Sequence, residues 1–348
     1  MEDNNIRVAI THGDTNGIGY ELIFKAFDDP AMFELCTPIV YGSPKVASYH
    51  RKALGMDSEA NFSIISRVEE ARQGHLNMLA AFDEEVKVEF GAATAESAKA
   101  EQKASERARR DIEAGLCDVL VYAPGKDASC QVENTITIYT SDDLQLAFVT
   151  SGLPLRDVAQ AISKELVVEK ARLLHQSLRR DFRLSNPRIA VLSLNPQPAD
   201  EETTMLKPAV DELAAAGIQA FGPYSADDIF SEGLHTQFDA VLAMYDDQGL
   251  APFKTIARNF GAKLIAGANV LMAATVLSPM YDTAGQGKAD GQPLRNAIYM
   301  AIDAARNRSH YDEPLANPLP KLYHEKREDV DKARFNMPRN KDFKKKEE

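Results

Sequence analysis

Short apolar runs alternate with stretches of helical period from Ile6 to Arg306, and few folds accommodate that alternation. Ile6–Ile10, Pro38–Tyr41, Asp118–Tyr122, Arg188–Leu194 and Phe238–Met244 read as strands buried on both faces. Glu21–Phe27, Thr94–Gly115, Glu165–Phe182, Met205–Ala216 and Leu294–Arg306 read as the helices around them. Within Thr94–Gly115, Ala98, Ala104, Ala108 and Ile112 recur at helical spacing, and Gly115 suits the C-cap. Strands that alternate with amphipathic helices form a mostly parallel sheet covered by helices. Thr135–Tyr139 and Leu144–Val149 depart from that scheme, and their short connection at Ser141–Asp143 predicts an antiparallel hairpin.

The chain has 348 residues, too many for one ordinary core, so two domains are expected. The division is drawn at 1–123 plus 292–316 for the first α/β domain and 124–291 for the second. An apolar share of 44% and a charged share of 26% fit a globular protein. A net charge of −12 argues against nucleic acid or an anionic membrane as partner. No apolar run is long enough to span a bilayer. The acidic start Met1–Asn5 leads straight into a strand without a secretion signal, so a cytoplasmic location is expected. Cys36, Cys117 and Cys130 are odd in number and widely spaced, which suits reduced thiols serving as small core residues. Nine basic and seven acidic side chains crowd His324–Glu348. The segment 317–348 therefore reads as a disordered tail.

Several strand ends carry candidates for chemistry. The turn Gly13-Asp14-Thr15-Asn16-Gly17-Ile18-Gly19 follows the first strand and precedes a helix, so its amides could receive a phosphate or carboxylate. Its glycines could equally serve only a tight turn. Asn195, at another strand end, either bonds a ligand or caps local backbone. Gln248 joins these as a ligand-binding candidate. Asp246 and Asp247 follow the strand Phe238–Met244; with Asp14 they form either an oxygen-only magnesium site or a set of turn carboxylates. Lys126 either balances a phosphate or is a solvated loop lysine. Lys126, Asp246 and Asp247 are the catalytic candidates, and His12 either faces a cleft or packs.

Five segments together carry a family resemblance. Gly13–Gly19 with Glu21, Leu153-Pro154-Leu155-Arg156-Asp157, Leu194-Asn195-Pro196, Tyr245–Leu250, and Ala284-Gly285 with Gly287 resemble, in order, signatures of the 4-hydroxythreonine-4-phosphate dehydrogenases. The similarity runs from about Ile6 to Arg308. It implies an α/β, isocitrate/isopropylmalate-dehydrogenase-like fold of two domains with a cleft between them. It also implies a homodimer, with the interface on the second domain and each site completed by the partner. The implied reaction oxidises the hydroxyl of 4-phosphooxy-threonine with NAD or NADP and then decarboxylates it, on the route to pyridoxal phosphate. A small phosphorylated molecule is thus the expected substrate or ligand.

The resembled family holds a catalytic metal with three histidines. Here the matching positions are Gly152, Gln197 and Leu277. Glycine and leucine offer no side-chain lone pair, and a glutamine oxygen is a poor zinc ligand, so no divalent metal is expected. The family's Gly-His-Thr-Glu loop, which grips the substrate phosphate, has no counterpart between Lys126 and the strand at Thr135. Asp246 stands where the family has another histidine. Two functions are therefore expected from the resemblance and its departures. One is an NAD-linked dehydrogenase with an altered substrate or a carboxylate metal site. The other is a catalytically inactive paralogue serving as a ligand-binding or regulatory dimer. A phosphate acyltransferase shares the broader fold, but no residue here argues for it.

Overall fold

The computed structural model describes residues 6–56, 62–125, 134–258 and 260–317. Lys126, Cys130, the segment that replaces the phosphate-gripping loop, and the tail from Pro318 lie outside the described residues. The strands are β1 (Ile6–Thr11), β2 (Cys36–Gly42), β3 (Phe62–Ile65), β4 (Leu76–Ala80), β5 (Val119–Tyr122), β6 (Ile136–Thr140), β7 (Gln145–Phe148), β8 (Arg188–Leu192), β9 (Gln219–Tyr224), β10 (Ala240–Ala243), β11 (Ala262–Ala266) and β12 (Leu271–Thr275). They form one sheet in the order β3-β4-β2-β1-β5-β12-β11-β6-β7-β10-β8-β9, continuous across the boundary expected near residue 123. The α/β class read from the sequence is the class found, and β6 and β7 pair antiparallel as expected.

Strand direction is what positions the functional loops. β1, β5 and β12 run parallel, β11 runs against both β12 and β6, and β7 runs against β6. β10 and β8 then follow β7. The carboxyl ends of β1, β5 and β12 therefore lie at one edge of the sheet, and those of β7, β10 and β8 at the other. Sequence reading found neither β11 nor β12, the strands that help produce this reversal.

Register sorts the core onto two faces. On one, Val8, Val121, Ala273, Leu264, Ile138, Ala147 and Leu242 belong to a single apolar cluster reaching from β1 to β8. The helices Gly19–Ala26 and Lys164–Arg180 and the first turns of Gln292–Ala316 complete it with Leu22, Ala171, Leu174, Leu294, Ala297 and Ile298. The opposite face carries two separate clusters. One lies under the helix Ala95–Glu113, whose Ala100, Ala104, Ala108 and Ile112 meet Ala9, Leu120, Met272 and Ile265. The other lies under Ala226–Ser231 and Asp246–Ala257, where Ile229 and Phe253 meet Leu146, Phe148 and Val241. At roughly 25 cal/mol per Å² of apolar area, this burial is the main favourable term in folding.

Local sequence fixes the helix ends. Thr94 accepts a hydrogen bond from Ser97 N and so caps Ala95–Glu113, and Gly115 follows at φ +72°. Ser163 caps Lys164–Arg180 in the same way through Leu166 N. Cys36 and Cys117 are buried, and burial pushes their thiols up to about 12 and about 11, which suits core residues rather than nucleophiles. Among the described residues no helix is long and apolar enough to cross a membrane.

Candidate functional site

At the first edge, the turn after β1 is buried from His12 to Gly19. Gly13 sits at φ +69°, and a Cβ there would come within 2.1 Å of Pro124 O. A Cβ on Gly17 would meet Pro279 O at 2.7 Å, and one on Gly19 would meet His12 O at 2.0 Å. The amides are committed as well. Asp14 N donates to Pro124 O (3.0 Å), Gly17 N to Asp14 O (3.1 Å) and Ile18 N to Pro279 O (3.1 Å). Asn16 N donates to Asp14 Oδ1 at 2.8 Å. The Asn16 side chain donates to Ala92 O and Thr94 Oγ1 and accepts from Glu89 N. Tyr281 donates its hydroxyl proton to Asp14 Oδ2 at 2.6 Å, and burial together with that carboxylate raises its pKa. In this geometry the glycines serve close packing, and Asp14, Asn16 and the amides of Gly17 and Ile18 knit three loops together.

His12 packs inside the same region. Its ring stacks on Tyr20 at 5.2 Å and 8°, and it meets Phe82 edge-on. Neither ring nitrogen has a hydrogen-bond partner among the described residues. Burial lowers its pKa to about 4, and lowers His50 to about 4 as well. His50 Nε2 lies 2.7 Å from Thr15 O. Both imidazoles are neutral near pH 7.

The second edge is open. Ser151 and Gly152 are exposed after β7, and Asp246 closes on both: Ser151 Oγ donates to Asp246 Oδ1 at 2.7 Å and Gly152 N to Oδ2 at 2.6 Å. Gln248 ties adjacent strand ends, accepting from Met244 N at 2.7 Å and donating to Ser193 O at 2.6 Å. Asn195 turns onto Glu202, which accepts from Leu194 N, Asn195 N and Ala199 N. Burial acts to raise the Glu202 pKa, but these amide hydrogen bonds outweigh it and hold the carboxylate low. Asp247 is exposed. A cavity of about 390 Å³ lies beside this edge, lined by Ser193, Asn195, Glu202, Lys207, Tyr224 and Asp228 among others.

The structure does not bring the carboxylate candidates together within one chain. Asp14 follows β1 and Asp246 follows β10, at opposite edges and six strands apart. At about 4.8 Å per strand that is roughly 29 Å, beyond any shared ion. The grouping of Asp14 with Asp246 and Asp247 is corrected accordingly. No signal in the sequence warns of this, because the reversal arises at β11 and β12.

The family's three ligand positions split in the same way. Gly152 and Gln197 lie at the second edge and Leu277 at the first, three strands from β7. Gly152 has spent its amide on Asp246, Gln197 is an exposed amide, and Leu277 is half-buried against the apolar core. These residues do not fit a divalent metal.

A mixed α/β sheet, of twelve strands among the described residues, with its motifs at strand ends defines a class of protein, and comparison narrows it. Residues 126–301 match the family described as Pyridoxal phosphate biosynthetic protein PdxA. The chain is 44% identical to a 4-hydroxythreonine-4-phosphate dehydrogenase of Bacteroides thetaiotaomicron, over 96% of this chain and 98% of that one. It is 30% identical to one from Geobacter metallireducens, over 88% and 97% of the two chains. The fold is shared with a solved Klebsiella pneumoniae 4-hydroxythreonine-4-phosphate dehydrogenase, with a TM-score of 0.72 at 23% identity, covering 88% of this chain and 99% of that one. The chain belongs to the PdxA family.

Proposed function

We propose that this chain is a cytoplasmic, homodimeric member of the PdxA family that binds a small phosphorylated molecule and oxidises it weakly or not at all. One observation carries this reading: at the three positions that match the resembled family's metal ligands, Gly152 has no side-chain donor and gives its amide to Asp246, Gln197 is an exposed amide, and Leu277 packs against the apolar core. A metal that polarises the reacting oxygen is worth several kcal/mol in such reactions, so its loss suppresses turnover severely. The dimer is supported by topology. The two edges of one chain face apart, so a site drawing on both needs a second copy.

A second reading, an NAD- or NADP-linked dehydrogenase acting on 4-phosphooxy-threonine, is favoured by the 44% identity across nearly the whole chain to a relative of that name. Lys126 and Asp247 remain its catalytic candidates. Calorimetric titration of 4-phosphooxy-threonine, together with NADH absorbance in the presence and absence of a chelator, separates the two readings. Binding with negligible NADH formation is expected. Robust, chelator-sensitive turnover establishes the dehydrogenase, and absence of both binding and turnover overturns both readings.

A further inference from the structure

A cavity of about 580 Å³ opens at the first edge, where β6 ends and β11 begins. That volume suits a small-molecule site. Three walls form it. The hairpin turn after β6 supplies Asp142 and Asp143, and the chain between the helix Asp246–Ala257 and β11 supplies Arg258 and Phe260. The third wall is one face of the helix Gln292–Ala316. Gln292, Asn296, Tyr299 and Met300 recur there at i, i+4, i+7 and i+8, all half-buried, beside the buried stripe of Leu294, Ala297, Ile298 and Ala301.

The floor has polar groups left unpaired. Register sets Thr140, Ala262 and Thr275 in one row across β6, β11 and β12, and Thr140 and Ala262 line the cavity. The Oγ1 atoms of both threonines are buried and lack a hydrogen-bond partner among the described residues. A buried hydroxyl without a partner is costly. The walls carry free groups as well. Asp142, Asp143 and Arg258 are exposed, and no ion pair or hydrogen bond engages their side chains or the Tyr299 hydroxyl among the described residues. Phe260 is 50% exposed, with its carbonyl held by Asn296 Nδ2 at 2.8 Å. Gln292 Nε2 donates to Asn296 Oδ1 at 2.8 Å, so this wall is fixed before any ligand arrives. Arg258 has φ +52° and ψ −124°, a backbone that glycine adopts at less cost. Strain of this kind gathers at ligand clamps.

We infer that this cavity binds a purine ribonucleoside. The flat base matches the rings of Phe260 and Tyr299. The Arg258 guanidinium donates to purine N7, the acceptor that adenine and guanine share. The Asp142 and Asp143 carboxylates accept from the ribose hydroxyls, as acidic residues do in dinucleotide sites. The same carboxylates repel a phosphate on the ribose, which sets the free nucleoside above its nucleotide. Thr140 gains the partner that it lacks. The inference is independent of the function proposed above, because none of the candidates at the second edge lines this cavity.

Calorimetric titration of the full-length protein with adenosine tests it. Saturable binding is expected, with 7-deazaadenosine, 2′,3′-dideoxyadenosine and AMP each several-fold weaker. Arg258→Gly relieves the backbone, so it is expected to raise Tm while weakening adenosine and erasing its advantage over 7-deazaadenosine. Asp142→Asn combined with Asp143→Asn is expected to erase the penalties on the dideoxynucleoside and on AMP. Hydrogen exchange should slow in the turn Ser141–Leu144 when adenosine is bound. Absence of saturable adenosine binding overturns the proposal, as does binding that Arg258→Gly leaves unchanged. Protection by adenosine confined to the loops of the second edge overturns it too.

Discussion

The two edges of the sheet carry signatures of the same family, yet their residues are held for different reasons. At the first edge Gly13, Gly17 and Gly19 leave no room for a Cβ, and Asn16 spends its side chain on three loop contacts. At the second edge Gln248 and Asn195 also bind neighbouring backbone and side chains, but Gly152 and Gln197 stand exposed. The turn signature is kept where packing demands it, while Gly152 and Gln197, which match metal-ligand positions only by the family resemblance, lie where packing demands nothing of them. A signature of the first kind certifies architecture, and function has to be argued from residues of the second kind.

The contrast is broken most directly at Gly13. Gly13→Ala adds a Cβ against the backbone of Pro124 and keeps a residue at φ +69°. A loss of at least about 3 kcal/mol is expected, the range of severe backbone and overpacking lesions. Urea denaturation reads it, and a variant within 1 kcal/mol of wild type, roughly the median point mutation, shows that the first edge yields.

Acid probes the same edge. His12 and His50 have folded-state pKa values of about 4, below the ordinary value of about 6.5. Between those limits the unfolded chain binds more protons, so stability is full above pH 6.5 and falls as pH drops toward 4. A loss of a few kcal/mol is expected across that window. His12→Phe keeps the stack on Tyr20 and should remove about half of the slope. A melting profile unchanged from wild type across this range defeats the buried, neutral assignment of His12.

Sequence reading found the strands that are continuous apolar runs, β1, β2, β5, β8 and β10, and the helices with long apolar stripes. It missed β11 and β12, where Ala262–Thr275 is too alanine-rich to display a clear period and Gly267 interrupts it. It also treated Asp246–Gly249 as a strand-end loop, although a helix begins at Asp246 despite Gly249 and Pro252. That helix carries Gln248 to the end of β8 and Asp246 to Ser151, pairings between segments far apart in the chain. The absent imidazoles were legible residue by residue. The separation of Asp14 from Asp246 was not, because it rests on strand direction.

At the second edge Gly152→Ala meets the same φ sign with the opposite surroundings. Gly152 has φ +71°, but a Cβ there finds nothing within 4 Å. Only the left-handed backbone cost remains, about 1–2 kcal/mol. A loss equal to that of Gly13→Ala, under the same denaturation, removes the distinction between the edges.

The smallest expected effect is the most specific. Asp246 accepts two short hydrogen bonds from the 151–152 turn and sits in the first turn of the helix Asp246–Ala257, where a negative charge is favourable. Asp246→Asn keeps the shape, and its carbonyl oxygen can still accept from one donor. Its amide group cannot accept the other bond, and the charge is lost. Because the turn is exposed, water takes up the released donor, and the net cost is about 1 kcal/mol or less. The local signature should be clear: faster hydrogen exchange at the Gly152 amide, with the amides of Asp14 and Ile18 at the far edge unchanged. If the far edge loosens too, the two edges are coupled through the sheet and cannot be treated as separate. If Gly152 exchange is unaltered, the Asp246 carboxylate is not what closes this turn.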